Sequence, residues 1–178
     1  MKKLIYILTL VAAFAMLTPA VRAAEEAAAP AAERSVAERL EDIEAYINKQ
    51  YSNEVMRKEL EYPRNCYHLI SYHEKPIGFS KIILHCAHPE IDKPSLTKLD
   101  RIYLLQEYHS LKLGAALFAF NLALSKQQGD TGMWLYVWKE NERAIRFYER
   151  QGFTIIGSHD FRISETHTNP NHLMYLPY

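Results

Sequence analysis

Residues Leu99–Phe118, LDRIYLLQEYHSLKLGAALF, constrain the fold of this chain more than any other stretch. Ile102, Tyr103, Leu104 and Leu105 form an apolar, β-favouring run. The half that follows reads as a helix, with Leu113, Leu117, Phe120 and Leu124 at three- and four-residue spacing. Between them lies the short turn His109-Ser110-Leu111-Lys112-Leu113-Gly114. A strand feeding a helix through such a turn aims free backbone N–H groups outward, and the helix dipole adds to their positive field. The turn therefore suits an anion, and a pyrophosphate fits it. Gly114 has no side chain to block a close-approaching phosphate, and Lys112 adds a point charge. Gly114 equally admits a packing role, in which it only lets the helix lie close to its neighbours.

A second stretch resolves that choice. Met133–Phe153, MWLYVWKENERAIRFYERQGF, reads as an apolar strand, a polar break at Lys139-Glu140-Asn141, and a helix ending at Gly152. Taken together, the two stretches resemble the GNAT family of N-acetyltransferases. Its pattern is Q/R-x-x-G-x-G/A after the fourth strand and N-x-x-A-x-x-F-Y-x-x-x-G-F after the fifth. The second motif is complete here in Asn141, Ala144, Phe147, Tyr148, Gly152 and Phe153. The first is degenerate: His109 stands where Gln or Arg is usual and Lys112 where Gly is usual, while Gly114 is kept. Asp100-Arg101-Ile102-Tyr103 and Val137–Tyr148 are similar to the bacterial branch related to spermine/spermidine acetyltransferases.

The resemblance covers roughly residues 35–178 and implies an α/β (α+β) fold. Its sheet is mixed, mostly antiparallel, splayed between the family's fourth and fifth strands and flanked by helices. It also implies direct acetyl transfer from acetyl-coenzyme A to a primary amine of a small molecule, a polyamine being one candidate. The pantetheine arm is expected to borrow backbone hydrogen bonds from Tyr103, Leu104 and Leu105. The pyrophosphate is expected on His109, Ser110, Leu111, Lys112, Leu113, Gly114 and Ala115. Backbone N–H groups near Leu104 would stabilise an oxyanion. Tyr148 is the expected general acid, since a thiolate leaving group needs a proton and a phenol provides one; without the motif it reads as a core aromatic. Asn141 is an N-cap by position, and the resemblance adds a cofactor contact. No general base is assignable, and Asp100 and Glu107 read as solvated charges. A homodimer is common in such a family, but nothing in the sequence fixes one.

The chain has 178 residues, room for one domain, with 48% hydrophobic residues to fill a core. Its formal charge is zero, which leaves no nucleic-acid footprint. His85, Cys86 and His88 have metal-binding chemistry but no evident fourth ligand, so no metal is expected. Two cysteines do not make a disulfide scaffold.

Residues 1–23 read as a signal peptide. Lys2 and Lys3 are followed by apolar Leu4–Leu17, and Val21-Arg22-Ala23 ends at a plausible cleavage point. The run is too short for an ordinary membrane span. Cleavage would remove Lys2, Lys3 and Arg22 and leave 18 basic against 21 acidic residues, a net charge of −3. Residues 24–34 form an Ala-rich linker, and the domain is expected over 35–178. It opens with a capping box, Ser35-Val36-Ala37-Glu38, on a helix burying Val36, Leu40, Ile43 and Ile47. A second helix spans about Asn53–Leu60 and stops before Pro63.

Cys66–Tyr72 and Ile77–His85 read as strands around the turn His73-Glu74. A two-residue turn there sets Cys66 opposite Lys81 and separates the cysteines onto opposite faces; a bulge would change that register. Thr154–Ile163 and His172–Leu176 close the sheet, with Glu165–Asn171 as a turn. The family's first edge strand has no counterpart. Either it is absent, or residues 4–17 are not the leader they resemble. Two readings of function follow: a working N-acetyltransferase, or an exported, non-catalytic domain of the same build. The leader-like start points to export, and acetyl-coenzyme A chemistry points to the cytoplasm.

Overall fold

The computed structural model describes residues 36–163 and 168–178. The leader-like segment, the linker and Ser35 of the capping box lie outside the described residues, as do the side chains of Val36, Leu40 and Ile43. Among the described residues two compact units are distinguished, residues 36–56 with 163 and residues 57–162 with 168–178.

In the first unit, helix α1 spans Val36–Gln50. The next helix, α2, spans Asn53–Glu61 and runs on into the second unit. Ser52 caps it, its Oγ accepting from Val55 N at 3.3 Å.

The second unit is built on one six-stranded sheet. Its strands are β1 (Asn65–Tyr72), β2 (Lys75–Ile83), β3 (Thr97–Leu104), β4 (Gly132–Trp138), β5 (Thr154–Arg162) and β6 (Thr168–Pro177), in spatial order β1-β2-β3-β4-β6-β5. Only β3 and β4 run parallel. Helix α3 (Leu113–Gln127) connects those two, as a parallel pair requires. Helix α4 (Glu142–Arg150) follows β4. Among the described residues β1 is an edge strand, in keeping with the missing first strand of the sequence reading.

The sheet separates two apolar clusters. Met133, Leu135 and Val137 of β4 join Ile82, Leu99, Met174, Phe118 of α3 and Phe153 in one cluster. Trp134 joins Ile91, Leu96 and Leu173 in the other, under the segment between β2 and β3. This is the period-two alternation of a strand buried on both sides. On α3 the buried positions are Leu117, Phe118, Asn121 and Ser125. The expected Phe120 is instead 53% exposed, because that stripe leaves it at the rim, edge-on to His68.

The β1–β2 turn is the expected two-residue one. His73 and Glu74 both have positive φ, 46° and 64°, as a type I′ hairpin turn demands. The expected register fails beyond it. A bulge between Ile70 and Ser71 shifts the ladder, so Cys66 faces Ile82 rather than Lys81. Both cysteines are free. β6 is longer than expected and contains Pro170, part of the expected turn. Proline is tolerated there because β4 has already ended, at Trp138↔Asn171.

A buried carboxylate ties the start of β3 to its surroundings. Asp130 accepts from Thr97 Oγ1 and Ser95 Oγ, both at 2.5 Å, and from His85 N at 3.2 Å. His85 Nδ1 lies 2.9 Å from its other oxygen. Thr97 Oγ1 also meets Ser125 Oγ of α3 at 2.6 Å, and Ser125 contacts the Tyr178 hydroxyl. Burial pushes the Asp130 carboxyl up, but the donors from Ser95, Thr97 and His85 outweigh it and hold it below the ordinary range. Its contribution is therefore present above the ordinary aspartate value of about 3.9 and lost as pH falls through the lower native value. Asp130→Ala is expected to cost about 3 kcal/mol at pH 7, because several buried donors lose their acceptor. Urea titrations at pH 7 and pH 3 check this: the gap between wild type and variant should narrow in acid.

Candidate active site

The parallel pairing of β3 with β4 lasts two residues, Thr97↔Met133 and Lys98↔Trp134. Both strands continue, β3 to Leu104 and β4 to Trp138. Their C-terminal halves therefore diverge, and among the described residues the inner edge of β3 has no strand partner there. On its other side β3 stays paired with β2 as far as Gly78↔Leu104, and Leu105 N donates to Ile77 O at 2.9 Å. Backbone direction alternates along an antiparallel ladder. Leu105 and Tyr103 thus turn their N–H groups toward β2, while Ile102 and Leu104 turn theirs toward the opening.

After β3 the chain makes a 3-10 helix, Gln106–Leu111, where the sequence suggested an open turn. Lys112 then takes a left-handed conformation, φ 57°, and α3 begins at Leu113. This explains why glycine is usual at the position: the backbone there is costly for any residue with a Cβ. No side chain caps α3. Ala115 and Ala116 donate to Lys112 O at 3.1 and 3.2 Å. The N–H groups of Leu113 and Gly114 have no intrahelical acceptor, being in the first turn. A Cβ on Gly114 would lie 3.2 Å from Leu104 Cδ1 and 3.9 Å from Phe147 Cε2. Its glycine thus serves close packing between the end of β3, α3 and α4. His109 is exposed, but its ring is committed: Nε2 lies 2.9 Å from the Leu104 carbonyl oxygen.

Asn141 is the N-cap of α4, its Oδ1 accepting from Ala144 N at 3.1 Å. Gly152 ends that helix with φ 96°, a conformation glycine adopts freely. Phe153 follows into the core. Tyr148 is half-buried, between the rings of Phe147 and Phe153 at 5.3 and 5.7 Å. Burial raises its phenol well above the ordinary value, so it stays protonated at neutral pH. No hydrogen bond to its hydroxyl is found among the described residues.

Two charged residues behave differently from one another. Glu107 is exposed, 3.4 Å from Lys75. Asp100, expected to be solvated, is mostly buried. It lies 2.7 Å from Lys98 Nζ and 3.0 Å from Lys81 Nζ. Lys81, itself 4% exposed, also pairs with Glu59 of α2 at 3.1 Å. Arg101 grips Glu59 with two bonds, 2.8 and 3.1 Å, and donates to the Tyr67 hydroxyl at 2.8 Å. The Tyr67 hydroxyl donates to Glu59 in turn. Sequence reasoning missed this network. Its one signal was a lysine, Lys81, close to the apolar residues Phe79, Ile82 and Ile83 of β2.

His85 is engaged with Asp130, and His88 Nε2 lies 2.8 Å from the Tyr136 hydroxyl. Among the described residues no group of three His, Cys, Asp or Glu side chains is placed to hold a metal ion. Of the two tryptophans sharing a face, Trp134 is buried and Trp138 is 40% exposed. No described helix is long and apolar enough to cross a membrane.

Comparison with known proteins bears on this geometry. Residues 32–153 match the model of the acetyltransferase (GNAT) family. An uncharacterized N-acetyltransferase of Mycobacterium bovis is 30% identical over 129 residues, 72% of this chain and 78% of the relative. The fold is similar to that of the PaiA N-acetyltransferase of Thermoplasma acidophilum, solved with coenzyme A. There the TM-score is 0.60, the identity 22%, and the coverage 78% of this chain and 79% of that one. It is also similar to a GNAT acetyltransferase of Elizabethkingia anophelis with acetyl-coenzyme A bound. There the TM-score is 0.54, the identity 12%, and the coverage 71% and 84%. A sheet opened between two parallel strands, an uncapped helix start beside the opening, and a family match over most of the length agree. The chain belongs to the GNAT family and is an acetyl-coenzyme A-dependent N-acetyltransferase.

Proposed function

We propose that this protein transfers the acetyl group to a primary amine of a small molecule by direct attack, with Tyr148 as general acid. The observation that carries this reading is the two-residue limit of the β3–β4 pairing, which leaves a strand edge open beside an uncapped helix start. An extended amide-bearing arm can take the place of a strand along such an edge. The residues fit the cofactor. The edge groups of Ile102, one residue before the expected segment Tyr103–Leu105, would hold the pantetheine arm, since Tyr103 and Leu105 turn their N–H groups toward β2. The residues from His109 to Ala115 would hold the pyrophosphate, through the first-turn N–H groups and the Lys112 ammonium. Asn141 would add a contact from the start of α4. Acetyl-coenzyme A supplies the activated thioester.

The chain's own contribution is then to orient and to move protons. The Leu104 N–H, which faces the opening, would stabilise negative charge developing on the thioester oxygen. Tyr148, kept as a neutral phenol by burial, has a hydroxyl proton to give the leaving sulfur. His109 steadies the Leu104 carbonyl and thus the peptide next to the reacting groups. The acceptor amine loses its proton to water. The similarity of Asp100–Tyr103 and Val137–Tyr148 to the polyamine-acetylating branch supports a polyamine as the first acceptor to test. We also propose a homodimer, and that residues 1–23 are removed as a leader. N-terminal mass analysis of the product made in a bacterial host should find Ala24 first.

The function is tested by titrating the full chain with acetyl-coenzyme A and measuring thiol release on adding spermidine. Saturable binding and amine-dependent release are expected; absence of binding by the folded protein would overturn the reading. Tyr148→Phe is expected to lower kcat about a hundredfold with the acetyl-coenzyme A Kd unchanged within about twofold. An unaltered kcat would remove Tyr148 from the mechanism. The Lys112 ammonium is separated from the Lys112 backbone by a pair of variants. Lys112→Ala and Lys112→Gly should weaken cofactor binding equally, about threefold, as calorimetry reads it. Only Lys112→Gly should relieve the left-handed strain and melt higher than Lys112→Ala.

A further inference from the structure

The β2–β3 ladder contains a bulge whose position coincides with the opening of the sheet. Lys81 faces Arg101, but the next pair is Ile82↔Leu99, so Asp100 is the extra residue. A bulge bends its strand and re-aims its side chains. Here it lets two consecutive residues act on one face. Tyr67, Lys81 and Arg101 form a cross-strand row, and Asp100 reaches the same Lys81 from the next position. The bulge falls two residues after Lys98↔Trp134, the last β3–β4 pair. The strand therefore departs from β4 where Asp100 is inserted.

Five charged groups meet at this bend: Glu59, Lys81, Lys98, Asp100 and Arg101, with the Tyr67 hydroxyl among them. Lys81 is the centre, 3.0 Å from Asp100 and 3.1 Å from Glu59. Burying such a group is expensive unless every partner is present, so the network tolerates few geometries. A regular ladder would send Asp100 to the opposite face, into the apolar cluster of Leu99 and Phe118. The ion pairs to Lys81 and Lys98 thus favour the bulged strand over the straight one.

We infer that Asp100 is a positioning residue, which through Lys81, Glu59 and Arg101 holds the bulge that swings β3 away from β4 and sets the edge presented to the cofactor. It does not touch the reacting atoms. Burial pushes its carboxyl up, but Lys98 and Lys81 outweigh that and keep it charged, as the role requires. The inference rests on the cofactor-binding reading above, and its test separates the two.

The test compares Asp100→Asn with Asp130→Asn. Both remove a buried carboxylate from β3's surroundings, but Asp130 sits by Thr97, before the bulge. Asp100→Asn is expected to raise the acetyl-coenzyme A Kd at least about tenfold, since a misplaced binding edge is costly. Asp130→Asn should stay within about twofold of wild type while melting lower. Asp100→Glu, which restores the charge, should recover most of the affinity. If Asp100→Asn does not fold, Lys81→Met removes the central cation and should give the same shift. Equal affinities in Asp100→Asn and wild type, or equal losses in the Asp100 and Asp130 variants, would overturn the inference. Amide hydrogen exchange without cofactor gives an independent readout. Faster exchange at Arg101 and Tyr103 is expected in Asp100→Asn but not in Asp130→Asn. If wild type itself binds no acetyl-coenzyme A, the functional reading fails. Unchanged exchange in Asp100→Asn fails the positioning role whether or not the cofactor binds.

Discussion

Two parallel strands that begin as neighbours and then separate impose the central condition on this structure. A strand edge left open inside a sheet exposes backbone donors and acceptors that must find partners. The structure meets part of that need from within, through His109 to Leu104 O. What remains faces the opening. The apolar clusters on either side of β4 hold the sheet together below the split, so the divergence above it does not unravel the core.

β3 is fixed at two places by different means. At its start, Thr97 is tied to Asp130, and through Ser125 to the end of α3 and to Tyr178. Further along, the bulge is tied to α2 by Glu59 and its cationic partners. Both ties are ionic or charge-assisted, the first buried and the second partly buried around Lys81, so each is demanding in geometry. Apolar packing alone would have allowed the strand to slide, because a slip that preserves the side-chain alternation costs little in burial. Charged partners that fit one register remove that freedom.

Much of this was legible in the sequence, and the gaps have physical reasons. The order of elements, the N-cap at Asn141 and the helix-ending Gly152 follow from local chemistry, and local chemistry is what a single sequence displays. The β1–β2 register was lost to the bulge at Ile70/Ser71, which no residue type announced. Phe118 and Phe120 are both plausible core residues on α3, and only the packing stripe decides between them. Asp100 looked solvated because Lys81, which bridges it to Glu59, lies 19 positions earlier and meets it only across the sheet. Lys112 carried a signal that was present but inverted. The departure from glycine suggested a weakened site, yet the backbone keeps the left-handed conformation that glycine would have had.

The open edge and the uncapped helix start have a consequence for turnover. In the proposed reading, their contacts other than the Leu104 N–H go to the pantetheine arm and the pyrophosphate, and these would be the same before and after the acetyl group has gone. The spent carrier therefore leaves only by unzipping the same backbone contacts that welcomed the loaded one. A site that binds this way would be slow to let go and would be inhibited by its own product. Its pace depends on how readily a borrowed strand can be peeled from the sheet.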